Sequence, residues 1–293
     1  MAVTIGLAGS GRRATEVHAP TIASRPGIRF AGVWGRTRER AQAIADQHGV
    51  PAFGHFDELL EHCDAVAFSV PPAVQAELAA DAARHGKAIL LERPIAGDVS
   101  GAEALVVAVE RANVISQVAL MWRYAAGVRH FLKTSAPSTQ PVGGAGRLIS
   151  GVLAPRSGVS AWRAEIGVLR DQGVDLLDLL DAALGPIAGV RGHGDPQGWV
   201  GLLLEHQIGR ASEASLYALA PPGTRQARVE VYGPGGHADI DCSDVVGPMT
   251  YERMYDEFTE AVRTATPHEL DIRRGMHVQQ VLEAAETDVT VGV

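Results

Sequence analysis

Short apolar runs alternate with segments of helical periodicity through the first part of the chain. Val3, Ile5 and Leu7 open it as β-forming residues, and the pattern then predicts a helix over 14–24 and a strand over 28–34. Helices are predicted at 38–48, 57–61 and 74–85, interleaved with strands at 50–53, 65–70 and 88–91. Ser100 and Glu103 have the S-x-x-E spacing of a capping box, which predicts a helix to about residue 113, and 114–120 reads as a last strand. Strands and helices alternating at this length predict an α/β domain over 1–122, a parallel and doubly wound sheet.

The pattern changes beyond that point. Residues 137–146 are rich in Pro, Ser, Thr and Gly and predict a loop. Strands are predicted at 147–153, 187–191, 199–205, 211–219, 228–232 and 237–241, with helices at 171–184, 250–264 and 275–290. Mostly consecutive strands with segregated helices predict an α+β domain over 123–293 built on a mainly antiparallel sheet.

Composition narrows the function. The chain has 293 residues, 46% of them hydrophobic, which supports large cores; 20% are charged and the net charge is -8, so nucleic acid is not an expected partner. No uninterrupted apolar stretch approaches about 18 residues and no basic-then-apolar leader precedes Val3, so the expectation is a cytoplasmic protein without a membrane partner. Cys63 and Cys242 lack neighbouring metal ligands and are expected as buried free thiols. The 11 histidines are scattered without the pairing of a zinc helix, and no metal site is expected.

Ligands of doubly wound sheets lie outside the carboxyl ends of the strands, which directs attention to the residues just after each one. After the first strand, Gly9, Ser10, Gly11 and Arg12 lead to Ala14 in G-x-G-x-x-A spacing. Gly9 allows the turn, Gly11 lets a pyrophosphate approach the backbone, and Ala14 lets helix and strand pack closely. After the second strand, where an acid would bind a free ribose 2′-hydroxyl, stand Arg36, Thr37, Arg38 and Arg40, with no acid before Glu39. Arg36 and Thr37 suit a 2′-phosphate, so NADP is expected in preference to NAD, and Arg40 is a further candidate for cofactor binding. The alternative is a solvated helix start with Thr37 as its N-cap.

Asp171, Asp175 and Asp178 fall within one stripe of a helix, opposite Leu176, Leu177, Leu180 and Leu184. One reading is an amphipathic helix with a solvated acidic face. The other is a cleft in which crowded carboxylates raise one pKa and make that residue an acid or base. His18 reads as a helix residue rather than a base, and Trp162 and Tyr124 as either pocket lining or core.

With these segments in place, the chain resembles the Gfo/Idh/MocA oxidoreductase family. The residues that carry the resemblance are the glycine turn, Ser69-Val70-Pro71-Pro72, Gly86-Lys87, Glu92-Arg93-Pro94, Trp162-Arg163, the run from Asp171 to Asp178, and the run from Val231 to Gly236. It implies a Rossmann domain, an open-faced antiparallel sheet used in homodimer or homotetramer contacts, and hydride transfer between a nicotinamide and a CH–OH or C=O group of a sugar-like, polyol or cyclic carbonyl substrate. On this resemblance Val70, Pro71 and Pro72 border the nicotinamide, Glu92 and Arg93 lie at the cofactor, and Arg123, Trp162 and Asp171 face the substrate.

The departures from the family pattern concern proton handling. Arg93 and Asp175 stand where the family has a Lys and a His, Met121 where it often has an amide, and Gln75 where a His is common. Arg cannot be deprotonated in a protein, so Arg93 can polarise an oxygen while Asp175 is the candidate that exchanges a proton. The alternative function is a dinucleotide-binding sensor or assembly protein in which catalysis is impaired. A third is non-redox net chemistry with the cofactor recycled in place.

Overall fold

The computed structural model describes residues 2–155 and 157–291. They form two compact units: Met1–Ala119 with Pro248–His277, and Leu120–Gly247 with Val278–Val293. A single cut after residue 122 therefore misses the segment Pro248–His277, which packs with the first unit.

The first unit is built on β1 (Val3–Ala8), β2 (Ile28–Trp34), β3 (Ala52–Phe53), β4 (Ala65–Phe68), β5 (Ala88–Leu91) and β6 (Ser116–Val118). All pair in parallel, in the order β3-β2-β1-β4-β5-β6. Every residue of β1, β4 and β5 is buried, as the central strands of a sheet covered on both faces must be. The order reverses direction at β1 and β4, which places the ligand crevice of such folds at the carboxyl ends of these two strands.

The helices of this layer are α1 (Ala19–Ser24), entered through a π-helical turn at Ala14–His18, α2 (Arg38–His48), α3 (Phe56–Glu61), α4 (Pro72–Arg84) and α5 (Val99–Ala112). The expected Ser100 capping box is corrected: the N-cap of α5 is Asp98, whose Oδ1 accepts the Gly101 N–H at 2.7 Å. Asp98 also satisfies the N-cap preference, and its extended backbone permits the bond where Ser100 is already helical.

The second unit begins with α6 (Ala126–His130) and α7 (Ala136–Ser138), followed by β7 (Gly143–Ser150), α8 (Ala161–Glu165) and α9 (Val174–Leu184). Strands β8 (Ile187–Gly194), β9 (Trp199–His206), β10 (Arg210–Tyr217), β11 (Arg225–Gly233) and β12 (Gly236–Asp241) complete it. The sheet order is β12-β11-β7-β10-β9-β8, antiparallel except for the central pair β7 and β10. The loop expected at 137–146 is corrected, because Gly143, Gly144 and Gly146 are strand residues. The lack of side chains on Gly144 and Gly146 lets α9 lie close: a Cβ on Gly146 would sit 2.8 Å from Leu176 Cδ1 and 3.0 Å from Leu180 Cδ1.

Burial alternates along β9 and β11, so one face of this sheet packs under α9 while the other stays open, with Trp199, Leu203 and Tyr232 exposed. The chain then forms α10 (Pro248–Thr264) in the first unit and α11 (Ile272–Val291), which starts there and continues into the second. In the first unit Gln117 Nε2 donates to Met254 O at 2.9 Å, and Val118 N–H to Leu270 O at 2.7 Å. No helix of the described residues is long and apolar enough to cross a membrane.

Candidate functional site

The turn after β1 is shaped by two glycines with different surroundings. Gly9 has φ +135°, and a Cβ there would lie 2.3 Å from the Ser69 carbonyl oxygen, so only glycine fits between β1 and the segment after β4. A Cβ on Gly11 would meet nothing within 4 Å. The helix starts at Arg12, and the Gly11 carbonyl accepts the Thr15 N–H at 3.0 Å. A bare backbone facing open space at a helix start is the geometry a phosphate group requires, so these residues fit the dinucleotide that the sequence implies. Ala14 is fully buried.

The end of β2 meets this turn directly. A Cβ on Gly35 would lie 2.5 Å from Ser10 Oγ. Beside the contact opens a cavity of about 290 Å³ lined by Ser10, Gly11, Arg12, Thr15, Arg40, Ala43, Ile44 and Gln47. Arg40, Ala43, Ile44 and Gln47 follow helical spacing along one face of α2. None of the described lining residues is an acid, although Arg12 Nε lies 3.6 Å from Glu16 across two exposed side chains. Arg36 and Thr37 are exposed and stand outside this lining; Thr37 is the N-cap of α2 by position, with no side-chain cap bond. Val70 and Pro71 are half-buried and Pro72 is buried, where α4 begins after β4.

The segment after β5 carries Glu92 and Arg93, and the Arg93–Pro94 peptide is cis. Gln75, fully buried on α4, holds this segment: its Oε1 accepts the Glu92 N–H at 2.9 Å and its Nε2 donates to Glu92 O at 2.8 Å and Ile95 O at 3.1 Å. The Glu92 carboxylate turns toward the glycine-turn helix, with Oε1 2.7 Å from Arg13 Nε and 3.0 Å from His18 Nε2. His18 Nδ1 lies 2.7 Å from the Tyr255 hydroxyl, and both rings are buried. Burial alone would raise the Glu92 pKa, but the charge of Arg13, the bond and charge from His18 and the charge of Arg93 together hold it down at about 2. Tyr255 is pushed well above the usual tyrosine range, first by burial and then by the Glu92 charge.

In the second unit the acidic helix is not a solvated face. Asp171, Asp175 and Asp178 are only 3%, 5% and 1% exposed, which overturns that reading. The reason lies in partners distant in sequence. Arg163 places Nε and Nη2 on the two oxygens of Asp171 at 2.6 and 2.8 Å, and Arg123 Nη1 lies 3.4 Å from both oxygens of Asp178. Asp171 sits in a π-helical turn, Leu169–Gly173, while Asp175 and Asp178 belong to α9. Trp162 is partly exposed beside Arg163, whereas Tyr124 is fully buried core with the Arg129 guanidinium over its ring. Met121 is also buried core.

The expected site residues thus form a cofactor-side group in the first unit and a carboxylate–arginine group in the second. Arg93 belongs to the former and Asp175 to the latter. Sequence reasoning passed over Arg13 and Tyr255, treated His18 as a plain helix residue and noted Gln75 only as a departure. Their roles arise from contacts across the fold; the one local signal was the position of Arg13 and His18 within two turns of Gly11. Cys63 and Cys242 are buried and free, and burial chiefly pushes their thiols up to about 11 and about 12.

Comparison with known proteins agrees with this geometry. Residues 3–120 match the family described as an oxidoreductase family with an NAD-binding Rossmann fold. The chain is 31% identical over 243 residues to a dTDP-3,4-didehydro-2,6-dideoxy-alpha-D-glucose 3-reductase of Streptomyces violaceoruber, covering 79% of this chain and 67% of that protein. Among solved structures, GenD2 from gentamicin A biosynthesis in complex with NAD superposes with a TM-score of 0.88 at 19% identity, covering 100% of this chain and 95% of that one. A putative myo-inositol dehydrogenase from Sinorhizobium meliloti 1021 gives 0.87 at 20% identity, covering 99% and 98%.

Proposed function

The chain belongs to the Gfo/Idh/MocA oxidoreductase family, and we propose that it is an NADP-dependent member acting on a C=O or CH–OH group of a sugar-like, polyol or cyclic carbonyl compound. The observation that carries the cofactor choice is the cavity beside the glycine turn, where Arg12 and Arg40 contribute guanidinium groups and no described acid lines the wall. A carboxylate there would repel a 2′-phosphate, whereas Arg40 offers it charge-assisted hydrogen bonds. Gly9, Ser10, Gly11 and Arg12 hold the pyrophosphate, Arg36, Thr37 and Arg40 the 2′-phosphate, and Val70, Pro71 and Pro72 border the nicotinamide.

The bound dinucleotide supplies or accepts the hydride, and the protein handles the proton. Arg93 orients the reacting oxygen and stabilises charge on it, but keeps its own protons. Asp175 gives up or takes the proton. Arg123, Trp162 and Asp171 form the substrate side. The name of the Streptomyces relative, a sugar 3-reductase, supports a ketosugar as the compound reduced.

The same reading gives the open face of the second sheet to a homodimer or homotetramer contact. That face bears exposed Trp199 and Leu203, and Arg147, Arg228, Glu213 and Glu230 around a cavity of about 610 Å³, a mixture of charges that can pair with itself. Sedimentation of the purified protein tests this; a strictly monomeric species refutes it.

Nicotinamide absorbance followed against a panel of ketosugars, polyols and cyclic ketones tests the activity. Turnover with NADPH supports the enzyme, and tight NADPH binding with no oxidation on any substrate favours the sensor. In the active case Asp175→Asn abolishes turnover and leaves NADPH affinity within about twofold of wild type. Full activity in that variant removes Asp175 from the mechanism.

A further inference from the structure

The segment bearing Arg93 is fastened from two sides within the first unit. Gln75 grips its backbone at Glu92 and Ile95. The Glu92 side chain reaches the other way, to Arg13 and His18, and His18 reaches Tyr255 on α10. Arg13 follows Gly11 by two positions, so the half-buried Glu92 carboxylate links the residue that precedes Arg93 to the side chain of Arg13 just after the glycine turn. We propose that Glu92, His18 and Tyr255 are positioning residues that couple dinucleotide occupancy of the glycine turn to the placement of Arg93.

The chemistry of the cluster orders its hydrogen bonds. An ionised carboxylate only accepts, so His18 presents Nε2–H to Glu92. The other ring nitrogen, Nδ1, lies 2.7 Å from the Tyr255 hydroxyl, which closes the chain of contacts. Tyr255 keeps its hydroxyl proton, because burial and the Glu92 charge both favour the protonated form. Each group fixes the orientation of the next, and the last fixes a side chain adjacent to Arg93. A shift of the Arg13 turn on binding phosphate therefore reaches Glu92 through a single ion pair at 2.7 Å.

The inference rests on the cofactor reading above, and hydrogen–deuterium exchange separates the two. The probe is 2′-phospho-ADP-ribose, which carries the pyrophosphate and 2′-phosphate but no nicotinamide ring to touch Arg93 directly. In wild type, the probe slows exchange at least about threefold in the peptides covering 9–17 and 91–97. In Tyr255→Phe and in Glu92→Gln, protection of 9–17 persists and that of 91–97 is lost. Tyr255→Phe retains the ring and its packing, so it serves if Glu92→Gln does not fold. Protection of both peptides in the variants, or of 9–17 alone in wild type, overturns the coupling and leaves the cluster a structural one. Protection of neither in wild type overturns the cofactor reading, and the coupling with it.

Discussion

Gly9 and Ser69 approach so closely that a Cβ on the glycine would lie 2.3 Å from the serine carbonyl oxygen, with the Gly9 backbone at φ +135°. Gly11, two residues on, faces open space. The two glycines of one motif therefore separate a folding role from a binding role. Gly9→Ala is expected to lower stability by about 2–4 kcal/mol, through the clash and the strained backbone together. Gly11→Val should keep stability within about 1 kcal/mol of wild type while weakening NADPH binding at least about 100-fold, since its side chain fills the space a phosphate needs. Urea denaturation and fluorescence titration of each variant check the pair. Equal losses of stability in both would refute the division.

Arg40 lines the cavity beside the turn, whereas Arg36 and Thr37 stand exposed outside its lining. Arg40→Ala should therefore weaken NADPH binding about 10- to 30-fold and Arg36→Ala only about 3-fold, with NADH binding changed by less than about 2-fold in either. Raising the salt concentration should narrow the wild-type preference, because part of it is electrostatic. Fluorescence titrations with both nucleotides measure this directly. Equal loss of NADPH and NADH affinity would remove the 2′-phosphate from the argument.

Much of the fold could be read from the chain because its signals are local. The alternation of buried runs with helical periods located all six strands of the first sheet, and helical spacing from Arg40 runs along the cavity face of α2. The failures share a cause in distant partners. Gly144 and Gly146 have the composition of a turn, but they are small because Leu176, Leu180 and Leu184 pack onto them. The acidic stripe from Asp171 to Asp178 reads equally as a wet face or a cleft, and only Arg163 on Asp171 and Arg123 on Asp178 decide it. His18 and Tyr255 meet across 237 positions, a contact no window of sequence contains. The return of Pro248–His277 to the first unit is invisible for the same reason.

Glu92 makes a prediction about acid stability. Its carboxyl is held at about 2, below the ordinary value of 4.5, because Arg13, His18 and Arg93 outweigh the opposing effect of burial. A folded-state pKa below the unfolded one stabilises the fold above the unfolded value and loses that contribution as pH falls through the folded value. Wild type should thus lose about 3 kcal/mol from this group between about pH 5 and pH 2. Glu92→Gln should start less stable at neutral pH and show a shallower acid limb. Urea midpoints recorded at half-unit steps test the slope; parallel acid limbs in the two proteins would count against the ion-pair cluster.

Arg163 and Asp171 form a two-point fork, Nε and Nη2 on opposite oxygens at 2.6 and 2.8 Å, with the carboxylate 3% exposed. Removing one side of such a pair strands a buried charge, which costs more than the pair itself contributes. Arg163→Met should therefore destabilise the protein by about 3 kcal/mol at neutral pH, and adding Asp171→Asn in that background should recover at least about half of the loss. Arg163→Lys keeps the charge but cannot make the fork, so about 1–2 kcal/mol should be lost. The kinetic consequence differs from that of Asp175. If Asp171 holds substrate and does not exchange the proton, Asp171→Asn raises KM about tenfold with kcat within about threefold of wild type. A collapse of kcat at constant KM would move the proton step from Asp175 to Asp171.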